Sequence, residues 1–170
     1  MATNLQFVKS VSSTASTVSV TDCFSDNYDV YKIIVPNYEN TTGTNNYQMR
    51  LLDSGGSAIS SAEYDIATLV LDSNVSFTET RNTGITYIQY FPVTNASYNV
   101  GVGTTIYVYN PNDSSSYTFL NWQGTAWAGT KMYGYKGIAV HKSAEQITGF
   151  QVFASAGTMD KFDVSVYGVK

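Results

Sequence analysis

The sequence predicts an all-β protein, an antiparallel β-sandwich of jelly-roll type with about nine or ten strands. Apolar and polar residues alternate along most of the chain, as in strands with one buried and one solvated face. No window of helical length shows a helical apolar period. The 14 Tyr and 8 Phe favour strands, and the abundant Ser, Thr and Asn favour turns.

One domain spanning 1–170 is expected, because the chain is long enough to bury a core and contains neither a repeat nor a linker. The strongest strand pattern in the first half is YDVYKIIV, residues 28–35, which Pro36 ends. The segment 64–71 is ambiguous between a strand and a short helix, and its β-branched residues favour a strand. The other predicted strands are 5–8, 18–20, 47–51, 85–91, 103–109, 117–122 and 132–135.

The last segment, ITGFQVFASAGTMDKFDVSVYGVK, predicts a closing β-hairpin that completes the core. Phe150 and Val152 share one face of its first strand. Ser155, Ala156 and Gly157 supply the turn. Its second strand has one apolar face formed by Phe162, Val164, Val166 and Gly168.

Composition argues against several classes of partner. The net charge is −4 with scattered basic residues, which disfavours nucleic-acid binding. No apolar run approaches the roughly 18 residues of a membrane helix, and the N-terminal residues lack the features of a secretory signal. The single cysteine, Cys23, allows no intrachain disulfide and is expected to be a small buried hydrophobe.

No catalytic residue is predicted. His141 is the only histidine, is expected at the surface, and would need an acid such as Asp113 or Asp160 to form a triad. Cys23 with His141 is an equally weak nucleophile pair. Two carboxylate pairs could be considered for sugar hydrolysis, Glu63 with Asp65 and Asp160 with Asp163, but solvated strand faces explain them better.

No cofactor or metal is predicted. One His and one Cys cannot supply the usual three or four ligands of a transition metal. Calcium at the turn 22–29 stays open, because Asp22, Asp26, Asn27 and Asp29 crowd oxygen atoms there. They lack the spacing of a known calcium loop, and an Asx turn is the simpler explanation.

Two groups of residues are candidates for contacts with other molecules. The first is aromatic and surrounds the predicted loop NWQGTAW: Trp122, Trp127, Tyr133 and Tyr135. Aromatic rings beside amides suit glycan binding, but one core Trp with the other at a subunit contact explains them better. The second group comprises apolar residues on the surplus face of two strands: Val30, Ile34, Tyr107 and Tyr109. Because a core covers one face only, these residues need a second cover, either the flank of the other sheet or a neighbouring subunit, and a homo-oligomer is expected.

Three segments carry a resemblance to a known family. They are FSDNYDVYKIIV, YQMRLLDSGG and the closing segment ending in YGVK. Together they resemble a β-sandwich module of virion structural proteins of tailed bacteriophages, especially marine and cyanobacterial phages. The resemblance implies a virion location, other capsid or tail proteins as partners, and a trimer. A non-enzymatic decoration, head-appendage or tail-fibre component is therefore expected. The alternatives come from the residues: a glycan-binding adhesin from the Trp122 and Trp127 aromatics, and a glycan hydrolase, the weaker one, from the carboxylate pairs.

Overall fold

The computed structural model describes residues 4–95, 102–127 and 129–170, and these ranges contain twelve strands and no helix. None of the described residues therefore forms a helix able to cross a membrane. The strands are β1 (Leu5–Ser13), β2 (Thr17–Val20), β3 (Val30–Asn40), β4 (Thr44–Leu52), β5 (Tyr64–Asp72), β6 (Thr78–Ile85), β7 (Val93–Asn95), β8 (Gly103–Tyr109), β9 (Thr118–Trp127), β10 (Met132–His141), β11 (Gly149–Ala154) and β12 (Met159–Val169).

The strands form two antiparallel sheets. The large sheet has the order β1-β12-β3-β8-β9-β10-β5-β6, and the small sheet has the order β2-β11-β4-β7. Four pairs are nested in sequence, each joining an early strand to a late one: β1 with β12, β2 with β11, β3 with β8, and β4 with β7. A long antiparallel ribbon wrapped over two sheets gives this nesting, which is the jelly roll. The predicted fold class is confirmed.

Two inserted hairpins enlarge one sheet of this jelly roll. The pairs β5–β6 and β9–β10 interrupt the nested order, and both join the large sheet beyond β8. The large sheet consequently has eight strands while the small sheet has four. The four inserted strands bring an eight-stranded jelly roll to twelve strands in the described ranges, compared with the predicted nine or ten.

The prediction of a closing hairpin was wrong. β11 pairs with β2 and β4 in the small sheet, whereas β12 pairs with β1 and β3 in the large sheet. The turn around Gly157, which has a φ of 69°, carries the chain from one sheet to the other. Phe150 and Phe162 are both buried, as predicted. Alternation identifies the buried face of a strand, but it does not identify the strand's partner.

Three further segments differ from the prediction. Residues 86–91 form no strand, because Ile88 makes a single bridge to Met49 and both Ile88 and Phe91 turn into the core. The strand β6, TETRNTGI, was missed because it is polar and mostly exposed at the edge of the sheet. The motif NWQGTAW was predicted to be a loop and lies within β9.

The core lies between the two sheets and is rich in aromatic rings. Tyr47 stacks on Phe91 with ring centroids 4.7 Å apart, and Phe91 contacts Trp122 at 4.9 Å. Trp122 fits because the facing residue is Gly137, where an added Cβ would lie 2.1 Å from the indole ring. Cys23 is buried as predicted. Burial raises the pKa of its thiol to about 12, which keeps the group protonated and unreactive.

Candidate functional site

The candidate site is the outer face of the large sheet. The small sheet packs against the inner face only, and no described strand covers the outer face. Large apolar side chains on this face are exposed to solvent, among them Ile138 at 60% and Phe119 at 47%. Their neighbours along the same strands, such as Leu120 and Ala139, are buried. The strand period therefore sends a second set of apolar residues away from the core.

The strand register aligns these residues in rows across the sheet. The first row contains Val30, Tyr109, Phe119 and Val140. The second row contains Lys32, Tyr107, Asn121, Ile138 and Ala67. The third row contains Ile34, Thr105, Gln123, Lys136 and Leu69. Directly opposed side chains lie about 4.5–5.5 Å apart at Cβ, so the rows form one continuous, largely apolar surface.

Open grooves run between the side chains of neighbouring strands on this face. A groove of about 460 Å³ is lined mainly by apolar residues, including Tyr109, Phe119, Ile138 and Val140. A more polar groove of about 470 Å³ is lined by Tyr107, Gln123, Lys136 and others. These grooves give side chains of a bound molecule places to insert.

The structure brings together the four residues predicted as an oligomer contact. Val30 and Ile34 lie on β3, Tyr107 and Tyr109 lie on β8, and all four are partly buried on the outer face. Val30 lies directly opposite Tyr109 in the register. The continuation of this surface onto β9 and β10 was not predicted. Phe119 and Ile138 alternate with buried residues on these strands, and this alternation is the sequence pattern that could have indicated the continuation.

The predicted aromatic cluster is not brought together. Trp122 is only 2% exposed and its Nε1 donates a hydrogen bond to the Tyr90 carbonyl at 3.3 Å, so the prediction of a contact residue there was wrong. Tyr135 is buried, and Tyr133 lies on the same inner-facing side of β10. Trp127 is 45% exposed and lies five residues after Trp122 on the same strand. An odd separation places two strand residues on opposite faces.

Trp127 ends a strip of outward side chains on β9. The strip alternates with buried residues and consists of Phe119, Asn121, Gln123, Thr125 and Trp127. The Asn121 amide donates a hydrogen bond to the Tyr109 hydroxyl at 2.8 Å. The strip spans about 26 Å at the rise of an extended strand. Rings at both ends with amides and a hydroxyl between them could stack on sugar rings and bond their hydroxyls.

Charged groups lie at both ends of the adjacent strands β5 and β10. Lys142 Nζ lies 2.8 Å from Asp65 at one end, and Lys131 Nζ lies 2.6 Å from Asp72 at the other. The hydrogen bond from each lysine lowers the pKa of its aspartate partner below the usual range. Exposed pairs of this kind add little stability. Between these ends the face carries two further cations, Lys32 and Lys136, among its apolar side chains.

The outer face of the small sheet differs from this surface. Its partly buried rings are associated with a cation: the Arg50 guanidinium lies 4.7 Å from the Phe153 ring centroid and 5.9 Å from that of Tyr87. The Arg50 Nε also donates to the Thr86 carbonyl at 3.1 Å. The large sheet has a similar contact, with Lys32 Nζ 5.8 Å from the Tyr107 ring centroid. It nevertheless offers the better contact surface, because it exposes large apolar side chains such as Phe119 and Ile138.

The calcium hypothesis for the turn 22–29 gains no support. In the described part of the chain, the aspartates of this turn do not join any group of three or more metal-ligating side chains. The turn is instead held by protein contacts, since the Asp29 carbonyl accepts a hydrogen bond from the Asn110 amide at 2.7 Å. The Phe24 carbonyl accepts another from the Asn112 amide at 3.4 Å.

His141 is fully buried, so the prediction of a surface position was wrong. It follows the buried residues Tyr135, Gly137 and Ala139 at intervals of two, which places it on the inner face of β10. Its partners are Glu63 and Glu145 rather than either aspartate considered for a triad.

The Glu63 and Asp65 carboxylates bind different partners. Glu63 accepts a hydrogen bond from the Ser61 hydroxyl at 2.7 Å and faces His141, whereas Asp65 pairs with Lys142 and accepts the Gly84 amide. The two carboxylates are thus each engaged separately, which gives no support to a hydrolytic pair.

No protein-family model matches this chain, and no curated protein shows significant similarity to it.

Proposed function

We propose that this chain is a non-enzymatic structural protein of a tailed-phage virion, exposed on the outside of the capsid or tail. The observation that carries this proposal is the uncovered apolar outer face of an enlarged jelly-roll sheet. Jelly rolls serve widely as capsid and lectin domains. The resemblance of the two ends of the chain to a phage β-sandwich module supports the same setting.

The outer face has the properties of an assembly surface. Monomeric soluble proteins rarely expose contiguous apolar patches of more than a few hundred Å². Here the partly or fully exposed apolar residues extend from β3 to β5 across five neighbouring strands. Tyr107, Tyr109 and Trp127 add the aromatic side chains that are enriched in interfaces. Covering this surface would remove apolar area from water, which offsets the entropy lost when its exposed side chains become fixed.

The occupant proposed for this surface is a further copy of the chain, with a trimer expected from the family resemblance. Chains of net charge −4 repel one another only weakly, and the central rows of the face carry the cations Lys32 and Lys136. Because like charges directly opposed are unfavourable, the two faces must be offset so that the lysines of neighbouring copies do not meet. Other capsid or tail proteins would then hold the oligomer on the particle.

Locating the chain in the particle tests the proposal. Particles purified from cells that produce the phage encoding this chain should contain the protein in many copies, measured by quantitative mass spectrometry. A cryo-electron microscopy map should show the jelly roll on the outside of the head or tail, with the outer sheet face against a neighbouring subunit. Absence of the protein from purified infectious particles would contradict the proposal.

Glycan binding is the second candidate function, and the outward strip of β9 favours it. Trp127 offers an exposed ring, and Asn121 and Gln123 offer amide groups along the same face. In this case the protein would be a receptor-binding component of a tail fibre. Asn121 and Gln123 also lie in the second and third rows, so a copy can bind a glycan along this strip only where no neighbouring copy covers those rows.

A further inference from the structure

A second cluster of functional groups lies at one end of β10, around His141. His141 Nε2 lies 3.1 Å from Glu63 Oε2 and 3.6 Å from Glu145 Oε1. These three ligand atoms all lie within 4.8 Å of one another. The imidazole is fully buried, while both carboxylates are partly exposed. The cluster thus has a buried imidazole nitrogen on its inner side and two carboxylates beside solvent on its outer side.

The separations match the edges of a metal coordination polyhedron. Zinc binds imidazole nitrogen and carboxylate oxygen at about 2.0–2.2 Å, which at tetrahedral angles separates neighbouring ligand atoms by about 3.3–3.6 Å. The observed distances of 3.1 and 3.6 Å lie close to this range. Small side-chain rotations would therefore bring all three atoms to one cation.

The hydrogen-bonding balance of the cluster also favours a cation. Two carboxylates face one ring nitrogen, and a neutral imidazole has at most a single N–H there to share between them. The Glu63 carboxylate also accepts a hydrogen bond from the Ser61 hydroxyl at 2.7 Å. The cluster consequently contains more negative acceptors than donors, and a divalent cation would neutralise them.

The ring itself is held in place and is incompletely satisfied. Its Nδ1 is buried and has no hydrogen-bond partner among the described residues. The Tyr64 ring packs beside it at 5.1 Å, and the Tyr64 hydroxyl is fixed by the Leu51 amide at 3.1 Å and the Ile59 carbonyl at 3.2 Å. Burying a polar ring with an unpaired nitrogen costs folding free energy. Coordination through Nε2 places the proton on Nδ1, which has no acceptor among the described residues, so packing and not a hydrogen bond fixes the ring.

The backbone holds both carboxylates near the ring. The Lys142 amide donates to the Glu63 carbonyl at 2.9 Å, which ties the end of β10 to the residue before β5. The Ile147 amide donates to the Pro111 carbonyl at 2.7 Å, which anchors the far side of the short segment carrying Glu145. The two carboxylates therefore approach His141 from segments that are already fixed at their ends.

We propose that Glu63, His141 and Glu145 form a binding site for a first-row divalent transition ion, with zinc as the expected ligand. The imidazole nitrogen favours such an ion over Mg²⁺ or Ca²⁺, which prefer oxygen alone. Three protein ligands leave one position for water on the exposed side. The ion ties the segment after β10 to the start of β5. A transition-metal site was not predicted, because the chain has one His and one Cys and its sequence does not show that two glutamates lie beside the histidine.

Titration of the chelator-treated protein with Zn²⁺ tests the site. Isothermal calorimetry should give one ion per chain, and Glu145→Gln should weaken the affinity at least tenfold, as should Glu63→Gln. The matched control Glu79→Gln, an exposed glutamate on β6, should bind like the wild type. Added Zn²⁺ should raise the melting temperature of the wild type and the control, but raise it less in the two site variants.

The single histidine gives a second readout. Its imidazole proton resonances in the NMR spectrum belong to one residue, so their shift during the titration reports binding at His141 directly. Both glutamate variants keep the histidine, and its resonances also show whether the variant is folded. Absence of saturable binding, or equal affinity in the wild type and in both folded variants, would overturn the proposal.

Discussion

Replacing Trp122 by alanine is expected to lower the free energy of unfolding by about 3–5 kcal/mol, and replacing Trp127 by alanine to lower it by less than about 1 kcal/mol. Trp122 is buried against Phe91 and fills the space above Gly137. Its removal leaves a cavity and frees the Tyr90 carbonyl from its hydrogen bond. Trp127 lies on the outer face and is 45% exposed.

Equilibrium denaturation with urea measures both changes, and the far-ultraviolet circular dichroism spectrum shows whether each variant keeps the β-structure. Comparable losses in the two variants would contradict the assignment of the two rings to opposite faces. Because Trp127→Ala should remain folded, it also serves for the second candidate function. Wild-type binding on a glycan array that disappears in this variant would favour the adhesin.

A charge introduced on the outer sheet face is expected to dissociate the oligomer. Ile138→Asp and Ile34→Asp each place a carboxylate on the outer face that a neighbouring copy should cover, and every copy carries the change. The dissociation constant should rise at least about a hundredfold, since a buried unpaired charge is costly. Light scattering should show about three chains of 18.6 kDa for the wild type and one chain for the variants.

Phe77→Asp is the matched control for these variants. Phe77 is 64% exposed and lies between β5 and β6, outside the rows of the outer face. It changes an exposed aromatic residue to the same charge, so the oligomer should keep its mass. A wild type that stays monomeric at micromolar concentration, or a control that dissociates as readily as Ile138→Asp, would count against the assembly surface.

The strand period made part of the site predictable. In β3 the alternation of VYKIIV, residues 30–35, predicted that Tyr31 and Ile33 lie in the core and that Val30 and Ile34 lie on the other face. The structure has them in these positions. The same reasoning applied to β9 would have separated Trp122 from Trp127. The glycine in NWQGTAW is typical of a loop and hides the alternation in this segment. Gly124 instead lies inward within the strand, with Pro92 and Thr104 close to it.

Features that depend on strand partners were not predictable from local patterns. The nested pairing that places β11 and β12 in different sheets joins residues far apart in sequence, and either pairing would bury Phe150 and Phe162 equally well. The register of β5 with β10 pairs His141 with Tyr64 and so brings the preceding residue, Glu63, close to His141. Glu63 and His141 are 78 positions apart in the sequence. The sequence alone gives no register for such distant strands.

Hydroxyl-radical footprinting of the assembled protein tests most directly whether the outer face of the large sheet is covered. Oxidation of Phe119, Tyr107 and Trp127 is measured by mass spectrometry across a dilution series. Tyr87 and Phe153, which lie together beside Arg50 at the small sheet, serve as internal references. We expect oxidation of the first three residues to fall severalfold as the oligomer forms, with the references unchanged. Protection of Tyr87 and Phe153 alone, with the first three residues equally oxidised at every concentration, would contradict the account.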